Sequence, residues 1–492
     1  MNIRKKVNSR LARSMTLLLV MTIVLAACGS QGKNNQAVGS MNRDEAGSLK
    51  VAYTNEESFY MQYGNAYIAM FPNVEVEVIS TESIWNADDP AAELKKLVEE
   101  QKPDVISLTE DQYESLAADG NLYDLDTVIK QDQFDIDKMM PGVIELLKTK
   151  GGGKLYGLSP NFSSQALYYN KDMFDKHKVP YPTDQMSWEE ILQLAERFPT
   201  EGQGDEQTYG LVLSGSTAFD LVESMGTAKG LTYVDYDSGQ LSINTDEWKS
   251  IFETVTNSYK SGKVSIPSND NPNGGPVGRI RRAGGNAISI GRGTMSFAAG
   301  KAAMTIDQSF LMNMLEMSQR MRGPKGGKGG PSVSATPATG KGPKMLEIQK
   351  INWNLVTIPV DPTNPDVTGG LNLDTVWSIN AASENLSPAW ELVKYINGEQ
   401  LAKTNSKSSP QLTSRTDYIS SEEHNLKAFT VLSPNPVTFA QKFPSGFKSE
   451  FAALASAEMT EIINGSKTVA DALQVIQTKG QDLLTQKKLA EQ

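Results

Sequence analysis

The chain of 492 residues has one cysteine, Cys28, and two histidines, His177 and His424. A single thiol close to the N-terminus excludes disulfides, a thiol nucleophile and a thiolate metal site from the body of the protein. Each histidine sits in a polar neighbourhood with no second ligand at helical or turn spacing, so both read as surface residues and no metal site is expected. Gly-x-Ser-x-Gly, His-Glu-x-x-His, Walker A and Gly-x-Gly-x-x-Gly elements are all missing. Gly151-Gly152-Gly153-Lys154 lacks the Walker spacing and a following hydroxyl. No cofactor is implied. Beyond the N-terminal segment no apolar run is long enough to span a bilayer. With 58 acids against 47 basic residues, nucleic acid is disfavoured as a partner.

What is present begins with an address. Arg4, Lys5, Lys6, Arg10 and Arg13 form a basic region, Met15 to Val24 an apolar one, and Leu25-Ala26-Ala27-Cys28 a small-residue cleavage site. This is similar to a lipoprotein signal peptide. The similarity implies that Cys28 becomes the acylated first residue, tethered to the outer face of the cell membrane, with Gly29 to Ser48 as a polar spacer. The formal charge of −11 includes five basic residues and no acid before Cys28, so a chain starting there carries −16. A chain of this length is past the size at which one hydrophobic core stops growing, and two large lobes are expected.

The alternating Leu49, Val51 and Tyr53 predict a first strand. Phe59, Tyr63, Ala66, Tyr67 and Met70 follow on one helical face, and Val74, Val76 and Val78 alternate again with Glu75 and Glu77. Ala91 to Gln101 reads as the next helix and Val105 to Leu108 as a buried parallel strand. Such strand, helix, strand alternation predicts an α/β lobe with right-handed crossovers. Further on, Leu167 to Tyr169 form a β-prone run turned by Asn170 to Asp172. Ser187 and Glu190 then make a Ser-x-x-Glu capping box for a helix whose Ile191, Leu194, Ala195 and Phe198 share a face.

Tyr-Tyr-Asn-Lys-Asp-Met-Phe from Tyr168, followed by Ser-Trp-Glu-Glu-Ile from Ser187, resembles the extracellular solute-binding proteins (family 1) of ABC importers, which include maltodextrin and other sugar binders. The resemblance continues in order through Phe71 to Val76, Lys102 to Ile106, Asp119 to Leu125, Phe297 to Met304 and Trp377 to Asn380. It implies an α/β, two-lobed, periplasmic-binding-protein-like (type II) fold whose discontinuous lobes meet at a hinge. Residues 49–163 and 365–430 would form lobe 1, and 164–364 with 431–492 lobe 2, after a signal peptide at 1–27 and a tether at 28–48. Phe162 to Gln165 would cross between the lobes. Trp353 to Pro359 and Trp377 to Asn380 look like the return. Ser387-Pro388 reads as the cap of a helix ending at Asn397-Gly398.

Two segments depart from the family pattern. Asn269 to Gly293 carries Arg279, Arg281, Arg282 and Arg292, and Gly323 to Lys344 carries four lysines and no acid. Both are too rich in Gly, Pro and polar residues to bury much apolar surface, and read as long basic surface loops, the second (323–344) as a disordered insertion. They could touch an anionic wall polymer or lipid headgroups, or be tolerated insertions.

Ligands of open α/β sheets bind beyond the carboxyl ends of the strands. The polar and aromatic residues expected there are Asn55 and Glu56, Asp111, Phe162 and Ser163, Asp307, Gln308 and Phe310, and Asn372, Asp374 and Trp377. Carboxylates and amides pair with sugar hydroxyls, and rings cover the apolar face of a pyranose. Four have a structural alternative: Asn55 and Glu56 as caps of the following helix, Asp111 as the cap of a helix starting at Gln112, and Trp377 as a buried hinge residue. By the resemblance, Asn55, Glu56, Asp111 and Phe310 match ligand-contacting positions, whereas Ser163 replaces the acid of the maltodextrin branch. The reading is a monomeric, lipid-anchored binder of a small solute, most simply a carbohydrate, that serves an ABC permease and is not an enzyme. A surface polysaccharide hydrolase, a sensory lipoprotein, or a binder of polyamine, peptide or metal are the alternatives.

Overall fold

The computed structural model describes residues 41–84, 87, 89–202, 207–213, 217–235, 238–265, 278–281, 287–290, 292–321, 332–335, 344–406, 411–419, 421–435, 443–444 and 446–490. Cys28, the expected signal peptide and much of both basic segments lie outside them. The end of the expected tether belongs to the fold: Met41 is buried and strand starts at Gly47, ahead of Leu49.

In chain order the strands are β1 (Gly47–Tyr53), β2 (Val74–Ser80), β3 (Val105–Leu108), β4 (Gly157–Leu158), β5 (Asn161–Asn170), β6 (Tyr209–Leu213), β7 (Val234–Asp235), β8 (Gln240–Leu241), β9 (Val264–Ser265) and β10 (Gly278–Arg281). They continue as β11 (Ala287–Ile290), β12 (Ala302–Gln308), β13 (Ser332–Ala335), β14 (Lys344–Glu347), β15 (Trp353–Thr357), β16 (Val367–Thr368), β17 (Leu371–Leu373), β18 (Val376–Ile379), β19 (Leu412–Thr413) and β20 (Ser433–Pro434).

The first sheet has the order β2-β1-β3-β18-β4, with β1 parallel to β2 and β3, and β18 antiparallel to its neighbours. The predicted β1, β2 and β3 are therefore found, and Glu75 and Glu77 face solvent as their alternation requires. The expected helix after β1 is interrupted by a π turn, Tyr60–Gly64. Gly64 permits it, because a Cβ there would lie 2.7 Å from the Tyr60 ring. The second sheet runs β15-β5-β12-β6-β9. Trp353 to Thr357 is antiparallel to Ala166–Asn170 inside this sheet and does not cross between sheets as expected. The register is chosen by burial: Trp353, Leu355 and Val356 all go into the core.

Ser187 and Glu190 form the predicted capping box of the helix Trp188–Glu196, which buries Trp188, Ile191, Leu192, Leu194 and Ala195. The helix Leu386–Ile396 starts one residue before Ser387, with Asn385 at its N-cap. The C-terminal helices Phe447–Ile463 and Val469–Ala490 pack Phe451, Met459, Leu473 and Ile476 into a core shared with Leu211, Phe219, Trp248 and Met304 of the second sheet and its helices. A second core holds the first sheet and continues past Phe162 to Tyr168, Phe297 and Trp353. Among the described residues no helix is long and apolar enough to cross a membrane.

The basic segments differ from the expectation of two loops. Besides residues 292–293, which open the helix Arg292–Ala298, their described parts belong to β10, β11, β13 and β14, which pair antiparallel in the order β11-β10-β13-β14. Inter-strand hydrogen bonding satisfies backbone groups that a Gly- and Pro-rich composition leaves without a local partner.

Candidate functional site

Two strand pairs join the sheets. The chain leaves the first sheet at β4 and continues as β5. Residues 161–164 of β5 pair with β17 and β19, while 165–170 pair with β12 and β15. It returns through β17, then Asp374 and Thr375, into β18 of the first sheet. Close approach is obligatory here: a Cβ on Gly157 would lie 2.5 Å from Ser378 Oγ and 2.6 Å from Val376 Cγ1.

At this crossing the register sets Asn372 opposite Ser163 and Leu373 opposite Phe162. Asp374 follows at once and bonds with the side chains of Ser163 and Gln411. Burial raises its carboxyl to about 6, although both hydrogen bonds favour the charged form. Asp307 and Gln308 end β12 opposite Ala166 and Gln165, just beyond Ser163 along β5. Asp307 accepts from Thr294 Oγ1 and from the Gln308 amide, and Gln308 is exposed. The Gln308 carbonyl accepts from Tyr168 Oη at 3.0 Å, so that tyrosine is a core residue with its hydroxyl spent. Phe310, at the start of the helix Ser309–Met321, lies half-buried against the core that holds the first sheet.

On the first-sheet side, Asn55 and Glu56 follow β1. Asn55 Oδ1 accepts from the Ser58 amide at 2.9 Å, and its Nδ2 donates to Glu82 Oε1 at 3.1 Å, so it is the helix cap. Glu56 is exposed in the first turn. Asp111 is exposed too, but it is not a cap: Thr109 caps the helix Glu110–Ala118 in a box with Gln112. A hydroxyl two residues earlier is better placed to reach the orphan amide.

Phe162 and Trp377 are fully buried and act as packing in this conformation. The face of Trp377 is covered by Tyr53, with ring centroids 5.5 Å apart and planes 15° from parallel, and its edge by Tyr63 at 5.1 Å. Tyr53 is the ring nearest solvent in this stack, and its hydroxyl donates to Gln62 Oε1 at 3.3 Å. The sequence reading passed over it as a strand residue. It also passed over Glu110, which ties β3 to the crossing by accepting from the Leu373 amide at 3.0 Å, with Lys150 3.7 Å away. Burial raises the Glu110 carboxyl above the usual range. Its position immediately after β3 was the available signal.

The histidines lie elsewhere. His424 is no solvent-facing side chain: its ring stacks on Trp353 at 3.6 Å, and burial lowers its pKa. His177 packs its edge on Phe198. Among the described residues no three His, Cys, Asp or Glu side chains form a metal-binding group.

Against known proteins, the sequence profile of the bacterial extracellular solute-binding proteins matches residues 62–428. A curated relative, the sn-glycerol-3-phosphate-binding periplasmic protein UgpB of Rhizobium meliloti, is 29% identical over 89 residues, 18% of this chain and a fifth of the relative's length. Among solved structures, a sugar transporter from Rhizobium etli in an open conformation aligns with a TM-score of 0.61 at 19% identity, covering 88% of this chain and 99% of its own. The sugar-binding protein MalE of Xanthomonas citri aligns with a TM-score of 0.58 at 14% identity, covering 90% and 98%. The fold is thus the two-lobed periplasmic-binding-protein architecture, with discontinuous lobes joined at the hinge formed by β4–β5 and β17–β18.

Proposed function

The chain belongs to the bacterial extracellular solute-binding proteins, and from that premise we propose that it captures a carbohydrate, most simply an oligosaccharide, between its lobes and delivers it to an ABC permease. The observation that carries the sugar reading is the crossing itself. Asp374 is held there at the cost of partial desolvation beside Ser163 and Asn372, a few residues along the sheets from the Tyr53–Trp377 stack. Such a carboxylate accepts from paired hydroxyls, and Tyr53 offers a face for the C–H side of a ring. Asn55, Glu56, Asp111, Asp307, Gln308 and Phe310 would complete the contacts from both sheets. The sugar proteins among the structural relatives support the same class of ligand.

Docking on one lobe favours closure because only the closed form lets both lobes touch the solute. The protein acts outside the cytoplasm, as its family does. The basic and apolar regions before Cys28 support an acyl anchor on that cysteine. Lobe boundaries at 163/164, 364/365 and 430/431 belong to the same proposal.

Thermal unfolding of the chain from Gly29 against mono- and oligosaccharides, polyamines, peptides and metal ions tests this. A sugar at a hundredfold its Kd stabilises by about 2.7 kcal/mol. A shift with sugar and no product is the expected result. No shift with any sugar overturns the carbohydrate reading, and release of shorter sugars replaces it with a hydrolase.

A further inference from the structure

Eight buried side-chain polar atoms among the described residues meet no protein partner, and three of them belong to residues that line one cavity: Asn397 Oδ1, Ser414 Oγ and Arg415 Nη2. The cavity measures about 10 Å³ and lies against Pro160 and Asn161, where the chain enters β5. The rest of its wall includes the apolar side chains of Met139, Ile396 and Leu401.

Each polar residue is held by bonds that leave one atom over. The helix Leu386–Ile396 ends at Asn397, whose Nδ2 donates to the Val393 carbonyl at 2.9 Å. That bond fixes the amide, so the remaining oxygen is an acceptor. The Ser414 amide donates to the Pro160 carbonyl at 2.8 Å, and the Ser414 carbonyl accepts from the Met140 amide at 2.7 Å, which leaves the hydroxyl. Arg415 is only 3% exposed. Its Nε donates to the Asn397 carbonyl at 2.8 Å, its Nη1 pairs with Asp135 Oδ1 at 2.7 Å, and its guanidinium lies 4.9 Å from the centre of the Phe134 ring, which leaves Nη2. Two donors and one acceptor thus border a space the size of one small molecule. Buried groups of this kind are costly to leave unpaired.

We propose that this cavity is a binding site for a single internal water. Water accepts from Arg415 Nη2 and Ser414 Oγ and donates to Asn397 Oδ1, and roughly 10–15 Å³ is the room that one water needs. A halide would meet the two donors but face the Asn397 oxygen, and the charge of Arg415 is already balanced by Asp135. A metal cation is repelled by the guanidinium. The water joins the end of the helix Leu386–Ile396 to Ser414 and Arg415, which directly follow β19, the strand paired with Asn161 and Phe162. It therefore braces the first residues of the strand that passes between the sheets, whatever solute the protein carries.

The test is diffraction from crystals of the chain from residue 28 onward, carrying Cys28→Ser, grown in sodium bromide and measured at the bromine absorption edge. This chain retains every residue the structure describes. The expected result is one solvent peak within hydrogen-bond distance of all three atoms, with no anomalous signal there. An anomalous peak marks an anion site and overturns the proposal. So does the absence of any peak, whether or not the three side chains pair directly. Oxygen-17 relaxation dispersion in solution gives a second measurement. Ser414→Ala removes one of the three bonds and keeps both backbone bonds of that residue, so one long-lived water should exchange about tenfold faster, with the circular dichroism spectrum unchanged. Equal residence times in the two proteins overturn the three-point site.

Discussion

Desolvation outweighs two favourable hydrogen bonds at Asp374 and sets its carboxyl at about 6. The folded protein therefore binds more protons than the unfolded chain between about pH 4 and 6. Stability from this group falls as pH rises through that window, and the deficit is complete above it. Asp374→Asn should raise the melting temperature at pH 7.5, by an equivalent of at most about 3 kcal/mol, and change it little at pH 4; a thermal-melt series against pH checks this. A residue that lowers stability at working pH is the kind kept for function, so the same variant should weaken sugar binding. Asn55 can be separated from it. Removing the cap with Asn55→Ala leaves the Ser58 amide unpaired and should cost about 1 kcal/mol. A melt with parallel titration calorimetry distinguishes a cap, which lowers stability alone, from a ligand contact, which lowers affinity as well.

At the scale of elements, the helix Trp188–Glu196 shows local and tertiary preferences agreeing. Its capping box closes with bonds of 2.8 and 3.2 Å, and its apolar face enters the core shared by the second sheet and the C-terminal helices. Ser187→Ala should cost about 1 kcal/mol with solute affinity unchanged, read by chemical denaturation and a binding isotherm. β5 is the opposite case. Its burial alternates over 161–165 and is continuous over 166–170, because two different sets of partners cover the two halves, and neither set is visible in the local sequence. Trp353 to Pro359 shows the same limit. A short apolar run bounded by turns fits a hinge strand or an interior strand equally, and pairing with Ala166–Asn170 decided for the interior.

For the whole molecule, two strand connections join sheets whose cores are not divided where the sheets are: one cluster runs from Val51 through Phe162 to Tyr168 and Trp353. Under the proposed function, closure on a solute turns about the β4–β5 and β17–β18 segments while that packing is kept. Saturating sugar should reduce the radius of gyration measured by small-angle scattering, and the reduction should be absent in a variant that no longer binds. An unchanged radius with full binding would count against hinge closure.

Local pattern was enough for the strand and helix alternation of the first sheet, the Ser187 box and the order of motifs that placed the chain in its family, because periodicity and capping involve residues close in sequence. The polar residues at strand ends were legible for the same reason, though not what each one does. Asn55 proved to be a cap, Asp111 an uncapping neighbour of Thr109, and Phe162 and Trp377 core rings, since burial depends on what arrives from elsewhere in the chain. Only the tertiary structure put Tyr53 over Trp377, Glu110 on the Leu373 amide and Ser163 on Asp374. It also joined two basic stretches into one sheet. Each of these pairs residues tens to hundreds of positions apart, and no local propensity encodes such a meeting. Composition and periodicity determined what the elements are; packing and register decided which side chains share a site.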